Sequence, residues 1–205
     1  MVKEEVCKKS NNDVILPYRE RLYVNTTEKK KIVEKAMNFI HDNGKYFFDV
    51  STSVQFLAQE LNKNVIVFTH SLDNFKILSE KSNVLVNLIS GEFNVRNRFF
   101  YREDYEKYLN GVEFDSAFLG AGAIRSDGIY YENEEDAFIK REVVKRSKKV
   151  ILLAEHQKYE KTAKYKGLDL EQANIIIVDP IAISLFIYII ASQNIKINPN
   201  SLVII

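Results

Sequence analysis

Short apolar segments alternate with amphipathic ones along most of the chain. Each apolar segment has the length of a strand, and each amphipathic segment repeats its apolar residues at helical spacing. The predicted strands span 45–50, 64–69, 84–89, 115–119, 149–154, 174–178 and 202–205. The predicted helices span 27–43, 72–80, 101–110, 134–147 and 181–193, and another carries Val54, Leu57 and Leu61 on one face. This alternation predicts an α/β fold with a mostly parallel sheet and helices on both faces.

This fold class directs the search for function to the loops that follow the strands. In parallel α/β sheets, ligands bind at the carboxyl ends of strands, where loops meet helix N-termini. The residues before 26 carry charge without sustained periodicity. We therefore expect 1–25 to be a linker or tail and 26–205 to be the folded domain.

The composition argues against several classes of protein. Among 205 residues, 29 Lys plus Arg balance 28 Asp plus Glu, and the net charge of +1 does not suit a chain that coats nucleic acid or an anionic membrane. The apolar fraction of 46% is typical of a globular protein. Because Asp179 and Pro180 interrupt the most apolar stretch, 175–191, we expect a buried strand and helix there and no membrane span.

The cysteine content indicates a reducing compartment, and the histidines and the cysteine form no metal-binding motif. Cys7 is the one cysteine of the sequence and has no partner for an internal disulfide. His41, His70 and His156 lie far apart, and none has a second His or Cys at ligand spacing. The N-terminus is charged and polar, without the apolar core of a signal peptide. We therefore expect a cytoplasmic protein without a metal or another cofactor. A carboxylate-rich Mg²⁺ site, which has no local signature in the sequence, stays open as the alternative.

The loop after the first predicted strand carries the strongest chemical signal. Asp49 ends the strand, and Ser51, Thr52 and Ser53 lead into the next helix. Free N–H groups at a helix N-terminus attract anions, and small hydroxyl side chains add donors, so a phosphorylated or carboxylated small molecule would fit here. Ser and Thr are also ordinary helix N-caps, and from these residues alone that alternative stays open.

The loops after the next strands repeat this pattern with weaker signals. Thr69 and His70 follow the second strand, and His70 either contacts an anion or is solvated or locally hydrogen-bonded. Gly91 follows the third strand, and Gly120 and Ala121 follow the fourth, where small residues leave room for a ligand or make a turn. The sequence contains no complete dinucleotide fingerprint, Walker motif or GxSxG elbow.

Charged residues lie on the helix predicted at 134–147 and after the strand that follows it. Lys158 near that strand's end is well placed to contact an anion, and Glu155 precedes it. Lys140 and Arg141 lie on the helix itself. A solvated helix face with charge pairs is the alternative there, and it is favoured for Arg141.

Taken in order, these loops resemble the C-terminal effector-sensing domain of the DeoR family of bacterial sugar-metabolism repressors. Each motif is weak alone, and the specificity lies in their order and spacing from 21 to the C-terminus. The matching positions are Arg21, Asn25, Glu28, Lys29, Ile32 and Ala36, 49–53 at the family's D-S-G-T-T, 69–72 at T-N-S-L, 90–91 at G-G, 118–121 at F-I-G-A, Gly128, 135–141 at E-E-A…K-R, 153–159 at L-A-D-x-x-K-F, and 178–179 at T-D.

The resemblance implies a ribose-5-phosphate-isomerase-like or CoA-transferase-like fold, self-association, and a phosphorylated sugar intermediate bound at the strand ends. In such repressors an N-terminal helix-turn-helix domain binds operator DNA, and effector binding changes that affinity. Because 1–25 is too short for such a domain, we expect DNA binding only through a helix-turn-helix domain absent from this chain. The candidate effector-binding residues are Asp49, Ser51, Thr52, Ser53, Thr69, His70, Gly91, Gly120, Ala121, Lys140, Glu155 and Lys158, and the candidate signal-coupling residue is Lys29.

The chain departs from the family pattern inside the expected pocket. Ser51, Ser90 and Ala123 stand where the family has glycine, His70 replaces an asparagine, and Glu155 lengthens an aspartate. Added side-chain bulk is expected to crowd the phosphate loop. The effector is therefore expected to differ from the usual ones, or the site to have lost it.

The leading hypothesis is a sensor domain without enzymatic activity, in which a sugar phosphate held by 51–53 and Lys158 acts through Lys29 on the chain upstream. One alternative is a dimerisation module with an empty pocket. Another is an aldose–ketose phosphate isomerase, which needs a general base. The enzymes of this fold carry acids after the strand at 115–119, where only Asp115 is acidic here, and Glu155 has no second acid or base arranged with it.

Overall fold

A parallel sheet forms the centre of the structure, a computed structural model that describes residues 15–159, 161–181 and 202–204. In chain order the strands are β1 (Lys45–Phe48), β2 (Val65–Thr69), β3 (Val84–Leu88), β4 (Glu92–Asn94), β5 (Phe99–Tyr101), β6 (Ser116–Gly120), β7 (Ala123–Arg125), β8 (Gly128–Tyr131), β9 (Val150–Ala154), β10 (Tyr165–Leu168), β11 (Ile175–Val178) and β12 (Leu202–Ile204). The main sheet has seven strands in the order β12-β11-β9-β6-β1-β2-β3, and all its neighbouring strands are parallel.

Helices cover both faces of this sheet. They are α1 (Tyr18–Arg21), α2 (Thr26–Ala36), α3 (Thr52–Glu60), α4 (Leu72–Ser79), α5 (Tyr105–Tyr108) and α6 (Glu134–Val144). Successive strand residues point to opposite faces, so Phe47 packs in one core with α5 and α6, while Phe48 packs in the other with α2 and α3. The predicted mostly parallel sheet with helices on both faces is confirmed.

Serine caps start the helices that follow the first two strands. The Ser51 hydroxyl accepts a hydrogen bond from the Val54 N–H at 3.1 Å, and the Ser71 hydroxyl accepts one from Asn74 N–H at 3.2 Å. Each cap satisfies one of the N–H groups that a helix leaves without a partner in its first turn. Both helices therefore begin directly above the carboxyl ends of their strands.

Two predictions of local structure were wrong. The segment 101–110 was predicted as a helix, but Phe99–Tyr101 forms β5, which pairs antiparallel with β4, and only Tyr105–Tyr108 is helical. The segment 120–131 was predicted as a loop, but it contains β7 and β8, which form a small antiparallel sheet with the unpredicted β10. In both places strand pairing outside the main sheet overrides local propensity.

Other predicted boundaries are close, with shorter helices than expected. The helix predicted at 27–43 ends at Ala36 and continues as a 3-10 turn at Met37–Phe39, and the one predicted at 134–147 ends at Val144. The helix predicted at 181–193 lies almost wholly outside the described residues. None of the described helices is long and apolar enough to cross a membrane.

The residues immediately before α2 pack against the domain. Tyr18 is fully buried, its backbone N–H donates to Arg96, and its hydroxyl donates to Gln55 at 2.7 Å. Arg96 in turn donates to the backbone carbonyl of Ile15, which is also buried. The described part of the predicted linker, 15–25, is therefore packed against the folded domain.

Candidate functional site

A narrow cleft opens where β1 and β6 end side by side. Asp49 Oδ2 accepts a hydrogen bond from the Gly120 N–H at 2.8 Å, which joins the two strand ends. The lining includes Arg21, Asp49, Ser51, Asn97, Gly120 and Asp136. The cleft has a volume of about 30 Å³, room for a water molecule or two rather than for a sugar phosphate. A larger ligand therefore requires its walls to move apart.

The serine at the family's glycine position fits the loop without strain. Ser51 has φ −116° and ψ 152°, an extended conformation that any residue adopts. Space is tight instead at Gly120, where an added Cβ would lie 2.3 Å from the Ser51 Cβ. Ser90 is exposed, and Ala123 is buried in β7. Of the three positions where the family has glycine, only Ser51 lines the cleft, so the replacement narrows the cleft there and not at Ser90 or Ala123.

Behind the cleft, a buried lysine lies between two carboxylates. The Lys140 ammonium contacts Oδ1 of both Asp49 and Asp136, and the Tyr131 ring centroid lies 4.8 Å from it. His70 Nε2 lies 3.2 Å from Asp136 Oδ1 and 3.9 Å from Asp49 Oδ1. This arrangement joins the ends of β1 and β2 to the first turn of α6.

Burial and the neighbouring charges shift the pKa values of both Asp136 and His70. Burial alone would raise the pKa of Asp136, but Lys140 and His70 together lower it to about 2. Burial lowers the pKa of His70, against the hydrogen bond to Asp136, and the Lys140 charge lowers it further. The ligand atoms of Asp49, His70 and Asp136 lie within 4.8 Å of one another, a spacing that suits a metal ion. The Lys140 ammonium already contacts both carboxylates there, so it supplies the cation of this cluster.

A second buried cluster lies at the end of β9, beside the N-terminus of α3. Ser53 donates to Glu155 Oε1 at 2.8 Å. The ammonium of Lys29 lies 3.8 Å from the same oxygen, and that of Lys158 lies 3.9 Å from Oε2. All four side chains are buried. Two lysines thus share one carboxylate, which leaves an excess of positive charge.

The pKa values of this cluster reflect that excess. Burial lowers the pKa of Lys158 to about 8, against the attraction of Glu155, and the charges of Arg21 and Lys29 lower it further. Burial also lowers the pKa of Lys29. Burial alone would raise the pKa of Glu155, but Lys158, Lys29 and the Ser53 hydroxyl lower it. An added anion would stabilise the charged lysines.

Lys29 connects this cluster to the residues before α2. Its ammonium donates to the backbone carbonyls of Arg21 and, at 2.7 Å, Val24. The same ammonium faces Glu155 at the strand ends. The predicted coupling residue therefore lies physically between the candidate site and the upstream segment.

The remaining predicted site residues have mainly structural contacts. Thr52 is the first residue of α3, and Ala121 lines the cleft beside Gly120. The Thr69 hydroxyl donates to the Phe48 carbonyl at 2.7 Å and accepts from the Ser71 N–H. Gly91 is not part of the cleft lining. A Cβ added at Gly91 would come within 2.1 Å of the Tyr101 carbonyl oxygen. Gly91 thus permits a close backbone approach and does not contact the cleft.

Sequence reasoning missed five charged or amide residues that line the cleft: Arg21, Asn97, Glu132, Asn133 and Asp136. Asp136 lies one turn before Lys140, and that i,i+4 spacing is the signal that could have identified it. Arg21 was noted for its family resemblance but not as a site residue. Asn97, with two amide hydrogen bonds to Glu132 and Asn133, lies in the turn between β4 and β5, a hairpin that the sequence did not predict.

Comparison with known proteins places the chain in a family. A family model, the DeoR C terminal sensor domain, matches residues 24–180. This chain belongs to the DeoR family, as a C-terminal sensor domain. The family predicted from the sequence is thereby confirmed, and with it the association with transcriptional repressors.

Two curated relatives illustrate the DeoR family. The HTH-type transcriptional repressor GlcR of Bacillus subtilis (strain 168) is 33% identical over 166 residues, which cover 80% of this chain and 64% of the relative. The deoxyribose operon repressor of Escherichia coli (strain K12) is 28% identical over 156 residues, which cover 74% of this chain and 62% of the relative. The chain thus spans less than two thirds of the length of these DeoR-type relatives.

Solved structures are similar in fold. eIF2B beta from Chaetomium thermophilum gives a TM-score of 0.50 at 15% identity, over 74% of this chain and 50% of that one. Ribose 5-phosphate isomerase A from Methanocaldococcus jannaschii gives a TM-score of 0.48 at 12% identity, over 68% of this chain and 56% of that one. At these identities the similarity concerns the fold alone.

Proposed function

We propose that this chain is the effector-sensing and self-associating domain of a DeoR-type transcriptional regulator, and that its effector is a phosphorylated sugar intermediate. The observation that carries the proposal is the buried cluster in which Lys29 and Lys158 share the single carboxylate of Glu155. Buried charge that is not fully paired is costly, and a bound anion relieves that cost. The cluster is therefore suited to hold a negatively charged ligand.

The helix that begins beside this cluster adds donors for an anion. Thr52 and Ser53 occupy the first two helical positions of α3, where helix geometry leaves the N–H groups without intrahelical acceptors. The helix dipole favours negative charge at the same place. A phosphate between the start of α3 and Lys158 would use both features.

Effector binding in this proposal changes the arrangement of the domain. The described cleft is too small for a sugar phosphate, so binding favours a form in which its walls have separated. Arg21 forms one wall, and Lys29 holds its backbone carbonyl. The change would reach the chain upstream through this contact. A helix-turn-helix domain outside the sensor domain would then read DNA.

The proposal assigns no catalytic activity to this domain. The relatives are named as transcriptional regulators. In the described cleft, the carboxylates of Asp49 and Asp136 contact Lys140, and Glu132 pairs with Arg96. Asp49 and Asp136 share one ammonium and Glu132 has its own cation, so each of these acids is already engaged in an ion pair rather than poised over a substrate as a general base.

Self-association is proposed through the edge of the main sheet. β3 is the terminal strand of the sheet order, and Leu85 on it is 62% exposed. An apolar edge strand is a ready site for pairing with a second copy. Sedimentation velocity of the chain should show an oligomer that Leu85→Lys dissociates, and an unchanged sedimentation coefficient would exclude this edge as the contact.

Thermal unfolding in the presence of sugar phosphates tests the effector proposal. A ligand at a hundredfold excess over its Kd stabilises the native state by about 2.7 kcal/mol, which gives a clear rise in Tm. We expect one phosphorylated sugar to raise Tm, its unphosphorylated form not to, and no turnover of that sugar. Lys158→Gln should abolish the rise, whereas the matched control Lys164→Gln, at an exposed position, should keep it.

The small volume of the cleft favours a second candidate function, a dimerisation module without an effector. That candidate predicts no rise in Tm with any sugar phosphate but the same sedimentation behaviour. A rise in Tm that survives Lys158→Gln would place the anion elsewhere and refute the proposed site.

A further inference from the structure

The side chain of Arg21, the last residue of α1, lines the same cleft as Ser51 and Gly120. Its Nη2 donates to Oδ1 of Asn97 at 3.2 Å, and its buried Nε has no hydrogen-bond partner. Among the described residues, no carboxylate oxygen lies within 4.0 Å of this guanidinium. The guanidinium carbon also lies 5.4 Å from the centroid of the Tyr18 ring. These neutral contacts leave the half-buried guanidinium short of both hydrogen bonds and opposite charge.

The nearest acids of the cleft are paired with other cations. Asp136 contacts Lys140, and Glu132 pairs with Arg96 at 3.1 Å. Lys158, a member of the second cluster, is close enough to Arg21 for the charge of Arg21 to lower its pKa. The positive charge of Arg21 therefore adds to the excess at the second cluster.

We propose that Arg21 is an anion ligand, contributed to the cleft by the segment before α2, and that it binds the phosphate group of the effector. The identity of that anion rests on the proposed function. The planar guanidinium can donate to two phosphate oxygens at once. The Ser51 hydroxyl accepts from the Val54 N–H, so it keeps its own proton to donate to the same anion.

This assignment gives the anion a direct contact with the upstream segment. The backbone carbonyl of Arg21 accepts a hydrogen bond from Lys29, which faces Glu155. Lys29 thus already holds the backbone of Arg21 near the strand ends. An anion bound to the Arg21 side chain would order this residue further. Occupancy of the cleft changes how firmly 15–24 is docked.

Inorganic phosphate tests this role whichever sugar the effector contains. The Tm of the chain is measured during a phosphate titration at pH 7.5, with sodium chloride keeping the ionic strength constant. Arg21→Gln removes the charge, Arg21→Lys keeps it without the planar fork, and Arg19→Gln on the exposed side of α1 is the matched control. We expect wild type and Arg19→Gln to bind phosphate equally, and Arg21→Gln to bind it about ten- to a hundredfold more weakly.

A second measurement keeps the test valid if Arg21→Gln disturbs folding. In a ¹⁵N–¹H spectrum of arginine side chains, the Nε–Hε signal of Arg21 in the wild-type chain should shift on phosphate addition, because its Nε has no partner. The signal is identified from the Arg21→Lys spectrum, which lacks it. No shift at saturating phosphate would overturn the inference, and so would equal phosphate affinity for wild type and a folded Arg21→Gln.

The sugar-phosphate panel separates this inference from the proposed function. If a sugar phosphate stabilises wild type and Arg21→Gln equally, the role of Arg21 is refuted while the sensor proposal stands. If inorganic phosphate shifts the Arg21 signal and no sugar phosphate raises Tm, Arg21 is an anion ligand and the sugar-phosphate effector is refuted.

Discussion

Replacing Lys140 by methionine leaves the carboxylates of Asp49 and Asp136 buried without their shared ammonium. Lys140 is 1% exposed, and it contacts both acids. Removal of one partner from a buried ion pair costs about 3–5 kcal/mol, because the remaining charge loses its compensation. We expect Lys140→Met to lose about that much free energy of unfolding at pH 8.

The loss should shrink at pH 5.5, because His70 can take over as the cation. In the wild-type chain burial lowers the pKa of His70, and Lys140 lowers it further. Without Lys140, the imidazole lies 3.2 Å from Asp136 and 3.9 Å from Asp49, so its folded pKa should rise above the unfolded value. Stability from a raised His pKa is fully present below the unfolded pKa of about 6.5 and is lost as pH rises through the folded one.

Urea unfolding followed by far-UV circular dichroism measures both effects, since the sequence contains no tryptophan for fluorescence. Lys148→Met is the matched control, because Lys148 forms an exposed pair with Asp115, and its loss should leave the urea midpoint nearly unchanged. A loss below about 1 kcal/mol for Lys140→Met at pH 8 would refute the buried-charge reasoning. Equal losses at pH 8 and pH 5.5 would refute the role of His70.

Three further predictions concern the cleft and its coupling. Effector affinity should fall as pH rises through about 8, the pKa of Lys158, because the neutral amine no longer attracts the phosphate. Calorimetric titrations at several pH values from 7 to 9 measure this fall in affinity. Gly120→Ala should cost about 1–3 kcal/mol in urea unfolding, because its Cβ would lie 2.3 Å from that of Ser51, and Ser51→Gly should restore the stability of this variant. Lys29→Met should weaken effector binding, because it removes one of the two lysines that share Glu155. At saturating effector it should also remove the effector's influence on hydrogen exchange at 21–24, because the contact from Glu155 to those carbonyls is lost.

Each of these outcomes has a clear contrary result. An affinity independent of pH between 7 and 9 would mean that Lys158 does not contact the phosphate. Full stability of Gly120→Ala would show that the loop at Ser51 yields without cost. Unchanged effector-dependent exchange in Lys29→Met would show that coupling follows another route.

Local pattern predicted the elements of the main sheet well. The apolar runs that became β1, β2 and β9 are strands of this sheet. The serines after β1 and β2 cap α3 and α4, and Ser53 contacts Glu155. Such runs can be recognised from the local sequence, because a strand that is buried on both faces consists of consecutive apolar residues. Pattern failed at β5, β7 and β8, whose short strands are stabilised by pairing with one another rather than by their own periodicity.

Part of the candidate site could also be predicted, since the strand ends carried Asp49, Ser51, Glu155 and Lys158. Their grouping could not. Asp49 meets Gly120 because β1 lies between β2 and β6 in the sheet, although β6 follows much later in the chain. Strand order depends on long-range packing, and no local spacing records it.

The sequence by itself therefore determined the fold class, the family and most of the polar residues at the strand ends. The tertiary structure alone decided which of them share a site: Lys140 with Asp49, and Lys29 and Ser53 with Glu155. It also brought Arg21, from a segment that the sequence assigned to a linker, into the cleft. The physical reason is that apolar periodicity acts between neighbours along the chain, whereas buried charges must find their partners across it, wherever the packed strands place them.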